Sequence, residues 1–209
     1  MVFSSDSEYL ATKRIKRGEI RLLATRQALA DWISTTYQVT VLNIIQDSID
    51  PDNRPRLQII LEWSDDSQSF SYDKDKQEAV KRQCIAIAGD SAPSLQRLLV
   101  CFSAFESVAI AEAQGKVTEE ETKALQTKIN HPDIWLISRS FMRVFFYTQA
   151  QVNLHQKSEL AGRLTTGYWN LLACHDEFGY IKKRGFELSF DSKENFDQVY
   201  EGSWFYYFR

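Results

Sequence analysis

Cysteine, histidine, glycine and proline are all scarce in this chain, and the motifs that would need them are missing. The 209 residues include 3 Cys, 3 His, 8 Gly and 4 Pro. The cysteines are odd in number and widely spaced, and no CxxC pair occurs, which argues against a disulfide framework and a zinc-cysteine site. The glycine-rich patterns of phosphate-binding loops and the GxSxG nucleophile elbow are missing. We therefore expect no cofactor and no bound metal.

Long apolar segments are also missing. No run of about 18 apolar residues could form a transmembrane helix, and the first ten residues lack the apolar core of a secretory signal. The missing transmembrane and signal segments, together with cysteines that show no disulfide pattern, predict a cytoplasmic protein. Hydrophobic residues make up 44% of the chain and the net charge is -3, so disorder is not expected. The length is near the upper end for one domain, and we predict a single α+β domain over residues 1–209.

The N-terminal third predicts a helix followed by strands. Residues 7–35 carry apolar side chains near a 3.6-residue period, although Gly18 weakens the helix at that point. Residues 38–46 and 56–64 are extended in character and flank a loop rich in turn-forming residues, which predicts an antiparallel β-hairpin. The alternating segment 67–72 is a candidate third strand.

The centre of the chain predicts mainly helices. Residues 73–88 form a helix that begins at Asp73, and residues 92–114 form a longer one. The buried stripe of this longer helix comprises Leu95, Leu98, Leu99, Phe102, Phe105 and Ala109. A capping box at residues 118–121 begins another helix, and residues 158–174 form the last. Residues 134–149 suit either a buried strand or a buried helix, and we prefer a short helix or turn before a strand at 142–148.

The C-terminus predicts strand, helix and strand. Residues 186–190 alternate as a strand, a short helix starts at Asp191, and residues 203–208 form the final strand, which completes a mostly antiparallel sheet. No internal repeat is found in the sequence. Helices that bracket separate groups of strands are typical of the α+β class.

Reactive side chains are adjacent only at Cys174, His175 and Asp176. They could supply a thiol nucleophile and its acid–base partner, with Glu177 as a further acid. Neighbours in sequence point in different directions, however, so we prefer to interpret this segment as a helix end.

Metal-ligand patterns around the other histidines and the acidic residues are weak. His131 and His155 belong to no HExxH or HxH motif. A second set of candidate metal ligands consists of the carboxylates of Asp65, Asp66, Asp73 and Asp75. No glycine lies between Gly18 and Gly89, which excludes an EF-hand in this group. The acids are better explained as a solvated loop and a helix N-terminus.

Basic residues are concentrated near the N-terminus. Residues 13–26, which we call the basic segment, contain six basic residues and one acid. Residues 47–78, the acidic segment, contain nine acids and four basic residues. Four of these side chains, Lys13, Arg14, Lys16 and Arg17, could contact nucleic acid or an anionic membrane. The isoelectric point of 5.7 argues against a dedicated nucleic-acid binder. We prefer to interpret these residues as a solvated helix face, and an intramolecular match to the acidic segment is a further alternative.

Five aromatic residues follow one another at positions 204–208. We prefer a central strand, in which these residues would be buried. In an edge strand, Trp204 and Tyr206 could bind a partner, since such residues dominate interface energetics.

The sequence favours a non-catalytic protein–protein interaction function of bacterial type, as an inhibitor, an immunity protein or an accessory factor. This hypothesis depends on the missing catalytic motifs, the segregated charge and the aromatic content. Its candidate contact residues are Lys13, Arg14, Lys16, Arg17, Trp204 and Tyr206. One alternative is a hydrolase-like enzyme whose remote Cys, His and acidic residues converge. A weaker one is nucleic-acid or membrane-surface binding through the basic segment. The oligomeric state is left open.

Overall fold

The computed structural model describes residues 4–89, 95 and 97–209. These residues form ten α-helices and two three-stranded sheets, which confirms the predicted α+β class. The chain divides into two compact units, unit 1 (Met1–Ala109) and unit 2 (Ile110–Arg209). Within the described range, no helix is long and apolar enough to cross a membrane. The single domain predicted from the length stays a prediction.

Unit 1 is built around the first sheet. Its helices are α1 (Ser7–Lys16), α2 (Ala24–Tyr37), α3 (Ser64–Ser71) and α4 (Lys74–Ala88). Its strands are β1 (Val41–Ile49), β2 (Arg54–Leu61) and β3 (Leu99–Ala104), and helix α5 (Phe105–Lys116) follows directly. The predicted hairpin is present as an antiparallel β1–β2 pair, whereas β3 lies parallel to β2. The core contains Ile33, Ile44, Ile59, Leu61 and Phe70.

Unit 2 is built around the second sheet. Its helices are α6 (Glu119–Ile129), α7 (Gln149–His155), α8 (Glu159–His175), α9 (Lys193–Val199) and α10 (Trp204–Tyr207). Its strands are β4 (Ile134–Ser138), β5 (Arg143–Phe146) and β6 (Ser189–Ser192). The β4–β5 pair is antiparallel, and β6 lies parallel to β5. The core contains Val144, Phe146, Leu164, Tyr168 and Leu172.

The two units share one order of elements, although the sequence shows no repeat. In each, a helix, an antiparallel strand pair, two helices, a strand parallel to the second strand and a further helix follow in this order. Unit 1 has α1 before this series, unit 2 has α10 after it, and α5 begins in unit 1 and ends in unit 2. Both hairpins shift register at the same place, between Val41 and Asn43 in β1 and between Ile134 and Leu136 in β4. The common topology is hidden in the sequence because equivalent positions carry different side chains.

Backbone hydrogen bonds fix the equivalence residue by residue. The Glu62 N–H donates to the Thr40 carbonyl at 2.9 Å in unit 1, and the Tyr147 N–H donates to the Asp133 carbonyl at 3.1 Å in unit 2. Thr40 and Asp133 therefore occupy one position of the shared fold, as do Glu62 and Tyr147.

The prediction of one helix over residues 92–114 is wrong. Residues 99–104 form β3, and α5 begins at Phe105, while residues 92–94 and 96 lie outside the described residues. The apolar side chains of Leu99, Phe102 and Phe105 also fit a helical stripe. A buried strand carries apolar residues without alternation, so periodicity alone favours neither structure.

Two predicted strands are helices. Residues 67–72 fall largely in α3, and residues 203–208 contain the single turn of α10. Alternating or aromatic-rich sequence favours strands only as an average, and tertiary packing overrides it. In residues 134–149 the predicted short helix or turn and strand are present as a 3-10 turn at Ser140–Met142 and as β5, whereas β4 was not predicted. The mostly antiparallel sheet is instead two separate mixed sheets.

Candidate functional site

Two histidines and an aspartate meet in unit 2. His131 and Asp133 lie in the loop between α6 and β4, and His155 is the last residue of α7. One nitrogen of each imidazole and one carboxylate oxygen lie within 4.8 Å of one another. We call this group the histidine–aspartate cluster. The two histidines belong to no common sequence motif, and the fold brings them together.

Hydrogen bonds hold the cluster in place. The Nε2 atom of His155 lies 2.7 Å from Oδ2 of Asp133. The Asp133 N–H donates to Nδ1 of His131 at 3.3 Å, so Nδ1 of His131 is the unprotonated nitrogen in this arrangement. The two imidazole rings meet edge to face at 5.0 Å between centroids.

The cluster is partly covered by the core of unit 2. The His155 side chain is 12% exposed and stacks on the ring of Phe146, with 5.2 Å between centroids. Asp133 and His131 are more open, at 26% and 30%. The cluster therefore has one side fixed by packing and one side open to solvent.

His175 and Asp176 have separate partners in the structure, and Cys174 is exposed. Helix α8 ends at His175, as the helix-end interpretation predicts. The Nε2 atom of His175 lies 2.9 Å from the Glu121 carboxylate, and Asp176 accepts a hydrogen bond from the Ile181 N–H at 2.6 Å. The backbone N–H of Thr118 and the His175 imidazole lower the pKa of Glu121. Cys174 is exposed, and all three cysteines are free.

The acidic residues of α3 and α4 have local structural roles. Asp65 and Asp66 lie in the first turn of α3, where negative charge stabilises the helix dipole. Asp73 caps α4 by accepting from the Lys76 N–H at 3.0 Å, and this hydrogen bond lowers the pKa of the Asp73 carboxyl. Asp75 lies in the first turn of α4.

Several side chains of the basic segment form ion pairs with acidic residues of the same chain. Lys13 is buried and Lys16 forms a 2.7 Å ion pair with Glu62, which belongs to the acidic segment. Arg14 and Arg17 both pair with Glu19, at 3.3 Å and 3.5 Å. The pair between Lys16 and Glu62 agrees with the alternative in which this segment matches the acidic residues of its own chain.

The C-terminal aromatic run forms an exposed surface in unit 2. Phe205 is 64% exposed, Trp204 and Tyr206 are also exposed, and Tyr207 is buried. These residues form a helical turn in which Tyr207 is buried, while Trp204 packs one side of its ring against Phe196 at 4.1 Å and leaves the rest exposed. We define the aromatic surface as Phe141, Trp204, Phe205, Tyr206 and Phe208.

Phe141 extends this surface from the β4–β5 hairpin. Its ring stacks on Phe208 at 4.7 Å, and the Phe208 ring stacks on Trp204 at 5.6 Å. Phe141 is 65% exposed and has φ +57°, and the next residue, Met142, has φ +48°. Glycine, asparagine and aspartate are the residues that favour such a turn, so a phenylalanine there is unusual.

Sequence reasoning missed two residues of these sites. Asp133 lies only two positions after His131, and this spacing was the available signal. Phe141 gave no signal, because its importance depends on a positive φ that the sequence does not encode.

Comparison with known proteins assigns no family to this chain. Comparisons with family models, curated proteins and solved structures found no significant match. The functional assignment therefore depends on the geometry of the histidine–aspartate cluster and the aromatic surface.

Proposed function

We propose that this chain is a non-catalytic protein of bacterial type that binds a protein partner through the aromatic surface, as an inhibitor, an immunity protein or an accessory factor. The observation that supports the proposal is Phe141, whose ring is 65% exposed although its backbone has φ +57°. A large residue in this conformation costs about 1–2 kcal/mol. Such strain is concentrated at functional sites.

The composition of the surface fits the energetics of protein interfaces. Phe141, Trp204, Phe205 and Tyr206 are all exposed. Each aromatic side chain can bury roughly 150–250 Å² against a partner. Trp and Tyr are enriched among the residues that dominate binding energy. The stack on Phe208 restrains Phe141, so little side-chain entropy is lost on binding.

Positive charge borders the aromatic surface and indicates the chemistry of the partner. The Arg209 guanidinium lies 4.5 Å from the centroid of the Phe205 ring. Arg139 is exposed two residues before Phe141. We expect a partner that offers apolar side chains together with acidic ones, whose charge speeds association.

The other sequence hypotheses have less support. The enzyme alternative needs a thiol beside an imidazole and a carboxylate, and His175 pairs with Glu121 while Cys174 is exposed. The nucleic-acid alternative needs basic side chains that are available to phosphate, and Arg14, Lys16 and Arg17 form intramolecular ion pairs. We place the interaction in the cytoplasm, because unpaired thiols are typical of a reducing compartment.

The test compares three forms of the full chain in the native host. They are the wild type, the double variant Phe141→Ser/Phe205→Ser, and Leu23→Ser as a control, because Leu23 is equally exposed (66%) but lies in unit 1. Proteins retained by each form are quantified. The species that the wild type retains stoichiometrically is then purified, and its Kd for each form is measured by titration calorimetry.

We expect the double variant to bind about a hundredfold or more weakly, since two interface anchors are removed. Leu23→Ser should bind as the wild type does. Equal affinity of all three forms would contradict the proposal. So would the absence of any stoichiometric partner of the wild type.

A further inference from the structure

We infer that His131, Asp133 and His155 bind one divalent transition-metal ion of the zinc class. This site is separate from the aromatic surface, and the inference does not depend on partner binding. The three residues offer two imidazole nitrogens and one carboxylate oxygen, all within 4.8 Å of one another. Imidazole suits Zn, Cu, Fe and Ni, whereas Mg and Ca require oxygen ligands.

The distances match the size of such an ion. Ligand atoms bound at about 2.0–2.2 Å to a tetrahedral zinc lie roughly 3.4 Å apart. In the cluster the Asp133 carboxylate oxygen Oδ2 lies 2.7 Å from Nε2 of His155 and 4.0 Å from Nδ1 of His131. These two distances bracket the required separation. An ion at this place takes up the Nδ1 lone pair of His131 that now accepts from the Asp133 N–H, and it displaces the proton shared by His155 and Asp133.

The backbone around the ligands is already fixed. The Ile134 N–H donates to the His131 carbonyl at 3.2 Å, and the Tyr147 N–H donates to the Asp133 carbonyl at 3.1 Å. Stacking on Phe146 orients the His155 ring. Three protein ligands with one open side leave a coordination position for water or another ligand.

Unit 1 shows that the shared fold needs neither a carboxylate at the position of Asp133 nor an imidazole at the position of His155. Asp133 is equivalent to Thr40 through the hydrogen bond that each carbonyl accepts. His155 is the seventh residue of α7, and the seventh residue of α3 is Phe70. Phe70 is 1% exposed and packs on Phe102 at 4.7 Å between centroids.

Where unit 1 buries a phenylalanine, unit 2 therefore places an imidazole against a carboxylate and a second imidazole. In this exchange, a hydrogen bond to Asp133 and an edge-to-face contact with His131 replace apolar burial. Since the shared fold packs a phenylalanine at this place in unit 1, we attribute the polar group in unit 2 to ligand binding.

The test is calorimetric titration of the full chain with zinc chloride after removal of bound ions by a chelator. The matched variants are His155→Phe, which restores the residue found in unit 1, and His175→Ala, which removes the other imidazole–carboxylate pair. Asp133→Asn provides a second variant of the cluster. Far-ultraviolet circular dichroism checks that each variant is folded.

We expect one zinc ion per chain for the wild type and for His175→Ala. His155→Phe should remain folded and bind at least about a hundredfold more weakly, because a direct ligand is lost. Magnesium and calcium should not compete. A wild type that binds no zinc would overturn the inference. So would a folded His155→Phe or Asp133→Asn with wild-type affinity, or tighter binding of magnesium than of zinc.

Discussion

Glu106 and Glu194 perform the same role in the two units. The Glu106 carboxylate accepts a hydrogen bond from the Ser64 N–H at 3.0 Å, and the Glu194 carboxylate accepts one from the Gln149 N–H at 2.9 Å. Each acceptor follows the last strand of its sheet, and each donor is the first residue of the helix after the second strand. A carboxylate at this place satisfies an unpaired N–H group and stabilises the helix dipole.

Removal of either carboxylate should destabilise the chain. We expect Glu106→Ala to lower the free energy of unfolding by about 1 kcal/mol, within the range for lost helix caps. The loss for Glu194→Ala should be smaller, because that hydrogen bond is exposed and better screened. Urea denaturation measures both, and Glu187→Ala, at an exposed loop position, is the control. A loss for Glu187→Ala as large as that for Glu106→Ala would contradict this role.

Replacement of Phe141 should separate folding from binding. Asparagine favours the positive φ of this position, so Phe141→Asn should leave the free energy of unfolding unchanged or raise it by about 1 kcal/mol. Partner affinity should fall at the same time. Urea denaturation gives the first quantity. A decrease in the free energy of unfolding of more than about 1 kcal/mol would show instead that packing of the Phe141 ring stabilises the fold.

Two buried tyrosines should make the fold sensitive to alkali. Burial raises the pKa of Tyr168 to about 12. Burial and the hydrogen bond to Asp191 also raise the pKa of Tyr207, against the opposing effect of Arg143. The folded state therefore favours the neutral phenol, whereas an unfolded tyrosine ionises near pH 10. This stabilisation is complete below about pH 10 and is lost as the pH rises through the folded pKa.

The measurement is the free energy of unfolding at about pH 9 and about pH 11, on either side of the ordinary tyrosine pKa. Stability should fall between the two, and Tyr168→Phe should show a smaller fall than the wild type. Tyr72→Phe is the control, because Tyr72 is exposed. The prediction fails if both variants show the wild-type pH dependence.

The ion pair of Lys16 with Glu62 should contribute more than the pair of Arg14 with Glu19. The first pair has side chains 19% and 16% exposed, whereas the second is about half exposed. Double-mutant cycles with Lys16→Met and Glu62→Gln should give a coupling energy of about 1 kcal/mol or more. The exposed pair should give less than about 0.5 kcal/mol. Equal coupling would show that partial burial does not strengthen the first pair.

The sequence predicts elements whose signals are local. The break at Gly18, the Asp73 cap of α4 and the Thr118 capping box of α6 are all present in the structure. The β1–β2 hairpin is also present. Each depends on residues a few positions apart, and their side-chain chemistry specifies the backbone conformation directly.

Features that depend on distant contacts were not predicted. Strand β3 is a strand because it pairs with β2, and its pattern of apolar residues alone does not distinguish it from a helix. The histidine–aspartate cluster forms because α7 brings His155 to a loop that is 22 residues earlier in the chain. The positive φ of Phe141 is likewise a property of the folded hairpin.

Site-specific photo-crosslinking in the native host tests most directly whether the aromatic surface binds a protein partner. A photoreactive phenylalanine analogue replaces Phe141, Phe205 or, as a control in unit 1, the exposed Leu23. Positions 141 and 205 should crosslink to one and the same protein, and position 23 should not. No crosslinked protein at positions 141 and 205, or the same products from all three positions, would contradict this prediction.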